Sequence, residues 1–256
     1  MKRIFTIIFL SVCLTASGQE AGLPMNLQGV KKNVIQLDSA VTAMTEWEPE
    51  ESSYETEAKA RDIWEKFKNH IEADKYDAAL DLYKDGNQGD FLVYLKHSSH
   101  RYLFYSQVLR PLMQEYDGDD LALEQYISNL QLEKAMEDFS IELQADGNGY
   151  IPEVYPFVIR DLGYGLVVTG KMDEAQELFK NLIDGVYGLT GDALYANLVG
   201  TQYVAKLYSL DGNVGWAIET WKNFKSFLEE NQSDYDEEDL HAVFVLIQNE
   251  LGKLTE

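Results

Sequence analysis

The sequence predicts an all-α protein in which antiparallel helix pairs stack side by side as a short right-handed solenoid, closed by a C-terminal capping helix. Three observations carry that expectation. Apolar residues recur at three- and four-residue steps through most of the chain. Only five prolines occur in 256 residues, and strand-like alternation is scarce. A helix-turn-helix pattern with small residues at fixed places returns along the second half.

The first 18 residues, MKRIFTIIFLSVCLTASG, set Lys2 and Arg3 before an apolar run from Ile4 to Leu14 and a small Ala16-Ser17-Gly18 exit. That is the layout of a signal peptide, so the mature chain is expected to begin at Gln19 and to lie in the periplasm or outside the cell. The single cysteine, Cys13, falls inside this leader, which leaves the mature chain with no disulfide, thiolate nucleophile or cysteine metal site. Lipoprotein processing before Cys13 is the less favoured alternative, because Val12 stands where a small residue is needed. No later run reaches the roughly 18 apolar residues that a membrane-spanning helix requires.

Acidic residues number 44 against 21 basic ones, a formal charge of -23, and removing the leader with its two bases takes it to -25. Such a surface repels polyanions, so nucleic acid is excluded as a ligand class.

Residues 19–53 read as an N-terminal extension, interrupted by Pro24, Pro49 and the acidic stretch from Glu46 to Glu51, with one helix over Val30 to Met44. Ser52 with Glu55 forms a capping-box pattern ahead of Ala58, Ile63, Trp64, Phe67 and Ile71, and a helical repeat domain is expected from residue 54 to 256. Residues 100–138 read as two helices joined at Asp117-Gly118-Asp119. At the C-terminus Leu240, Val243, Phe244, Ile247, Leu251 and Leu254 share one helix face. The acidic run Asp234, Asp236, Glu237, Glu238 and Asp239 before it suits the positive end of the helix dipole.

The repeat is clearest in PFVIRDLGYGLVVTGKMDEAQELFKNLI, from Pro156 to Ile183. Small Gly163 and Ala175 would let two helices approach closely where they cross, Phe179 would fill the wedge beside them, and Gly170 would end the first helix in the left-handed conformation. A second copy runs from Thr201 to Phe224, with Ala205, Gly212, Ala217 and Trp221 in the same roles. A third, around residues 61–83, keeps Ala79 and Tyr83 but puts Phe67 at the small position, where it should force the helices apart, and Asp74 at the turn. Ala122 and Tyr126 fit a looser fourth copy. These segments resemble the tetratricopeptide repeat, although Leu166 stands where that repeat has Tyr.

Chemistry-bearing motifs are sparse. The stretch Ala145 to Ile151, ADGNGYI, matches the centre of an EF-hand loop, with Asp146, Asn148 and the Tyr150 carbonyl as ligands. Its first ligand position is Gln144 and its closing position Tyr155, so calcium is not expected and an inter-helix turn is the preferred reading. His97 and His100 could share a helix face, but no carboxylate flanks them at helical spacing. Nucleophile-elbow, phosphate-loop and metalloprotease patterns are all missing, so no catalytic residue, cofactor or metal is assigned and the chain is expected not to be an enzyme.

The resemblance implies a concave binding face built from the outward positions of each first helix. These are Arg61, Trp64, Lys68, Ile71 and Glu72, then Phe157, Arg160, Tyr164, Val167 and Val168, then Val199, Gln202, Lys206, Ser209 and Leu210. Four are basic and one acidic, an inversion of the overall acidic balance. Arg61, Trp64, Lys68, Arg160, Tyr164, Gln202 and Lys206 are therefore the expected partner-binding groove, suited to carboxylates through their cationic groups and to apolar contact through their rings. The implied function is an exported adaptor that binds a segment of another envelope protein. The alternative is a carbohydrate- or nutrient-binding accessory protein, since similar helices occur in the larger SusD-like proteins.

Overall fold

The computed structural model describes residues 27–45, 54–144, 150–151, 154–185, 190–191 and 193–255. Apart from a two-residue parallel pairing of β1 (Tyr150–Ile151) with β2 (Thr190–Gly191), the regular structure among them is helical. In chain order the helices are α1 (Leu27–Thr45), α2 (Tyr54–Glu72), α3 (Tyr76–Lys84), α4 (Gln88–Tyr94), α5 (Ser98–Phe104), a π-helical turn (Tyr105–Leu109), α6 (Arg110–Tyr116) and α7 (Asp119–Gln144). They continue as α8 (Tyr155–Val168), α9 (Met172–Gly185), α10 (Ala193–Leu210), α11 (Val214–Glu230), a 3-10 turn (Gln232–Asp234) and α12 (Glu237–Thr255). Two compact units divide the chain, residues 26–200 and 201–256, with the boundary inside α10. The expected leader, the Ser52 cap and the Ala145–Gly149 part of the EF-hand-like stretch lie outside the described residues.

Four chain reversals share one hydrogen-bond register. The N–H of Lys75 donates to the His70 carbonyl at 2.8 Å, Gly118 to Met113 at 3.1 Å, Lys171 to Leu166 at 2.8 Å and Asn213 to Tyr208 at 2.8 Å. Bonds of this span satisfy carbonyls that the end of a helix leaves open. The next helix starts in register too, because Ala79, Ala122, Ala175 and Ala217 each donate to the carbonyl four residues back. All four alanines are buried, as are Tyr83, Tyr126, Phe179 and Trp221 one turn later. Gly170 and Gly212 supply the left-handed backbone, at φ of 80° and 79°. Asp74 takes the same conformation at φ 57°, and its carboxylate accepts a bond from the Tyr76 hydroxyl at 2.9 Å. An aspartate tolerates this region because its short polar side chain bonds locally. At the remaining reversal the left-handed residue is Gly118, one position later in the turn.

Close approach explains the glycines of α8. A methyl group built on Gly163 would stand 2.1 Å from Cζ of Phe179 in α9, and one on Gly165 would stand 2.6 Å from Cγ1 of Ile127 in α7. The helix therefore packs tightly on both sides, against α7 and against α9. Gly200 continues the pattern, since a methyl there would meet Ile183 Cγ1 at 2.6 Å.

The pair α2 and α3 solves the same problem differently. Phe67 is fully buried at the position where the two clearest copies carry Gly163 and Ala205. Its ring packs edge-on against Phe91 of α4 at 5.2 Å and Phe104 of α5 at 5.7 Å, while Tyr83 meets the same two rings at 5.2 and 5.8 Å. The expected separation is thus filled by an inserted helix that packs along α2. Helix α1 adds Val30, Val34, Leu37 and Val41 to the core of this unit, so the boundary expected near residue 53 does not set α1 apart from the helices after it.

The π-helical turn has a local cause. Pro111 has no N–H to offer the carbonyl of Gln107, and Asn33 Nδ2 from α1 donates to that oxygen instead, at 3.3 Å. In the second unit α11 and α12 pack together, burying Trp221, Phe224 and Leu228 with Leu240, Val243 and Ile247. The acidic run before α12 acts as a helix start, as its position suggests: Asp236 Oδ1 accepts from the Glu238 N–H at 3.0 Å.

Gly163→Ala should destabilise the first unit by about 1–3 kcal/mol, because the added methyl would overlap the buried Phe179 ring and force it to move. Chemical denaturation checks this, and the paired variant Gly163→Ala/Phe179→Leu should recover part of the loss.

Candidate functional site

The residues expected to form a groove divide into those the fold consumes and those it leaves accessible. Trp64 belongs to the first group, at 1% exposure, and this corrects its expected place on a binding face. The indole stacks on Tyr94 at 4.8 Å and donates from Nε1 to Asp38 Oδ1 at 2.8 Å. Tyr94 donates to the same oxygen at 3.0 Å, and Lys68 reaches Oδ2 at 2.9 Å and Glu65 at 2.8 Å. Burial alone would raise the Asp38 carboxyl, but the bonds from Lys68, Trp64 and Tyr94 outweigh it and hold its pKa below the ordinary value. Lys68 is therefore spent on its own fold. Ile71 and Val199, also expected on that face, are buried as well.

Arg160 is half-consumed. Its guanidinium binds Asp161 from Nε at 2.8 Å and from Nη2 at 2.7 Å, reaches the Tyr102 hydroxyl at 3.3 Å and lies over the Phe157 ring at 5.3 Å. Asp161 also accepts from the hydroxyls of Tyr102 at 2.8 Å and Tyr126 at 2.7 Å. Burial first, and the Asp161 charge second, push both phenols well above their usual range. These contacts lock α8 to α5 and α7. On the same helix Tyr164 and Val168 remain exposed.

Within the first unit Arg61 is the groove cation that stays available. It is exposed, makes no ion pair among the described residues, and borders a pocket of about 120 Å³ with Glu57, Ala60, Glu65, Tyr94 and Lys96. Lys96 is exposed at the same rim and bridges to Glu57 at 2.8 Å. The volume admits a carboxylate or a small side chain and is too small for a drug-sized ligand. Gln202 and Lys206 lie in the second unit, where Lys206 Nζ sits 5.9 Å from the Tyr203 ring centroid.

A buried polar cluster has no counterpart in the sequence pattern. Arg101 grips Glu133 in a fork, Nε to Oε2 at 2.8 Å and Nη2 to Oε1 at 2.6 Å, with both side chains nearly sealed from solvent. Nη1 also donates to the Leu95 carbonyl at 3.3 Å and to that of Lys96. Glu137 is raised by burial, and His100 is lowered by burial and then by His97 and Arg101. The 32-residue separation of Arg101 and Glu133 hides the pair from any local pattern.

His97 and His100 do face one another, with ring centroids 5.9 Å apart. Among the described residues, however, no three histidine, cysteine or acidic side chains gather as a metal site, and no helix is long and apolar enough to cross a membrane. Comparison of the chain with protein-family models, with curated proteins and with solved structures finds no match.

Asp38→Asn should lower stability near neutral pH by about 1–3 kcal/mol, since three donors lose a charged acceptor. Because folding depresses this carboxyl, its contribution is complete above the unfolded value of about 3.9 and vanishes as pH falls through the lower folded value. Urea denaturation as a function of pH should therefore show the variant and the parent converging below about pH 4.

Proposed function

We propose that the chain is an exported, non-enzymatic adaptor of the tetratricopeptide type, in which successive helix pairs stack as a short right-handed solenoid and hold a segment of a partner protein in the cell envelope. The observation that carries this reading is the recurrence of one turn register at His70–Lys75, Met113–Gly118, Leu166–Lys171 and Tyr208–Asn213, each followed by a buried alanine and a buried aromatic residue. Stacked pairs of this kind bury their core between neighbours and leave the outward side of each first helix for recognition. The leader-like first 18 residues support export.

Within the first unit the partner-binding role falls to Arg61, as a carboxylate anchor, and to Tyr164 with Val168 as apolar contacts. Lys68 and Arg160 serve the fold through Asp38 and Asp161, and Trp64 serves its core. The test is affinity purification from the cell envelope with the parent chain and with Arg61→Glu/Tyr164→Ala. A partner retained at low salt, released at high salt and bound at least about tenfold more weakly by the variant supports the reading. Equal retention by both proteins removes it.

One observation favours a carbohydrate-binding alternative. Trp216 is 59% exposed and lies 6.0 Å from the Tyr208 ring, a stacking surface unlike the buried Trp64 and Trp221. If glycans bind there, oligosaccharides from a panel will quench tryptophan fluorescence saturably, and Trp216→Ala will abolish the response. A panel without saturable quenching eliminates this alternative.

A further inference from the structure

A second pocket opens between α4 and α7, and its polar lining comes from Gln88, Arg101, Asn129 and two tyrosines. Asn129 is 7% exposed and turns its amide into this space. Oδ1 accepts from Gln125 Nε2 at 3.0 Å, while the buried Nδ2 meets no acceptor at hydrogen-bond geometry. Tyr83 and Tyr105 line the same space, and neither hydroxyl donates a hydrogen bond to any described residue. Tyr83 lies beside the Asn129 amide, yet even an amide bond to its oxygen would leave the phenolic proton without an acceptor. Burial raises both phenols, Tyr83 to about 12, so both remain neutral donors. The pocket thus sets two neutral phenols and the Gln88 carboxamide beside the buried Asn129 Nδ2, and an unmet buried donor of that kind costs free energy until an acceptor arrives.

Charge narrows the acceptor. Arg101 is the cation of this pocket, and its donors are taken by Glu133 and by the Leu95 and Lys96 carbonyls. An entering carboxylate would find no counter-ion and would face Glu133, an arrangement that burial makes costly. At the mouth Leu132 is exposed, which suits a ligand with a short apolar stem.

We propose that this pocket binds an uncharged carboxamide, its carbonyl oxygen accepting from Asn129 Nδ2 and the tyrosine hydroxyls. The volume, about 50 Å³, holds a group of acetamide size. That chemistry belongs equally to a free small amide and to a glutamine or asparagine side chain of a bound segment. The site stands on the pocket alone and does not depend on the adaptor reading.

The test titrates the full chain, with 15N and methyl labels, against acetamide, sodium acetate and ethylammonium chloride, following the Asn129 side-chain amide and the Leu132 methyls. Acetamide should give saturable shifts, with acetate and ethylammonium at least about tenfold weaker. Asn129→Leu, which keeps the side-chain size and removes the amide, should abolish saturation. Tyr105→Phe, which deletes one hydroxyl, should weaken it and serves as the second variant if the first does not fold. Shifts that stay linear in acetamide, or acetate binding as well as acetamide, overturn the proposal. Two peptides capped without a primary carboxamide, acetyl-Leu-Gln-Leu-dimethylamide and acetyl-Leu-Ala-Leu-dimethylamide, separate the sources. Tighter binding by the glutamine peptide than by acetamide places a partner side chain in the pocket, and binding no tighter than acetamide places a free small amide there.

Discussion

The distance at which α8 can approach its neighbours governs the architecture of the first unit. Two glycines two residues apart point to opposite sides of that helix, one against the Phe179 ring and one against Ile127. Dispersion attraction falls steeply with separation, so even a slightly wider crossing on either side would forfeit contact along the length of both helices. Phe179, one turn after the buried Ala175, takes the space that Gly163 opens, and the reversal holds the register that brings the two together. Turn geometry and side-chain size are therefore a single constraint. A left-handed residue at the turn fixes where the second helix starts, and that start decides which residue meets the crossing point.

Against a formal charge of -23, the placement of cations is the second organising feature. Lys68, Arg101 and Arg160 each satisfy carboxylates of the same chain, and two of these also accept from aromatic donors, Asp38 from Trp64 and Tyr94 and Asp161 from Tyr102 and Tyr126. Removing an acidic partner from water is tolerable only when hydrogen bonds replace hydration, and a fork of the Arg101–Glu133 kind supplies two at once. In an acid-rich chain, basic residues close to the core are drawn into this task first. Arg61 escapes it because it stands on the exposed side of α2.

Much of the helical pattern is legible in the sequence because helix capping and apolar spacing are local properties. The C-terminal stripe, the Gly170 and Gly212 turns, and the small residues Ala175 and Ala217 are all visible in short windows. Even the Ala122 and Tyr126 match, the loosest of the four, shares the register of the others. The binding face is not legible to the same degree. The resemblance to the repeat places Trp64 and Ile71 outward, and they turn inward because α1, α4 and α5 cover that side of α2. Asp38, which captures Lys68, comes from a helix 30 residues earlier, and no sequence window joins the two. Asp74 reads as a departure from the turn pattern, although aspartate can adopt the backbone that glycine provides elsewhere.

The buried polar groups collect where the rhythm of helix pairs is interrupted, and the interruption explains them. With Phe67 at the crossing, α2 and α3 leave a space that α4 enters, and α4 ends close to the core with its last carbonyls needing donors. Arg101 supplies them to Leu95 and Lys96, which brings a guanidinium into the interior. That charge requires Glu133, and a carboxylate held at this depth requires the arginine in return. One turn before Glu133, Asn129 lies on the same face of α7 and enters the same interior, opposite Tyr83 and Tyr105. The polar lining of that pocket is thus a consequence of accommodating one large ring at a position where the two clearest copies of the pattern keep a small residue.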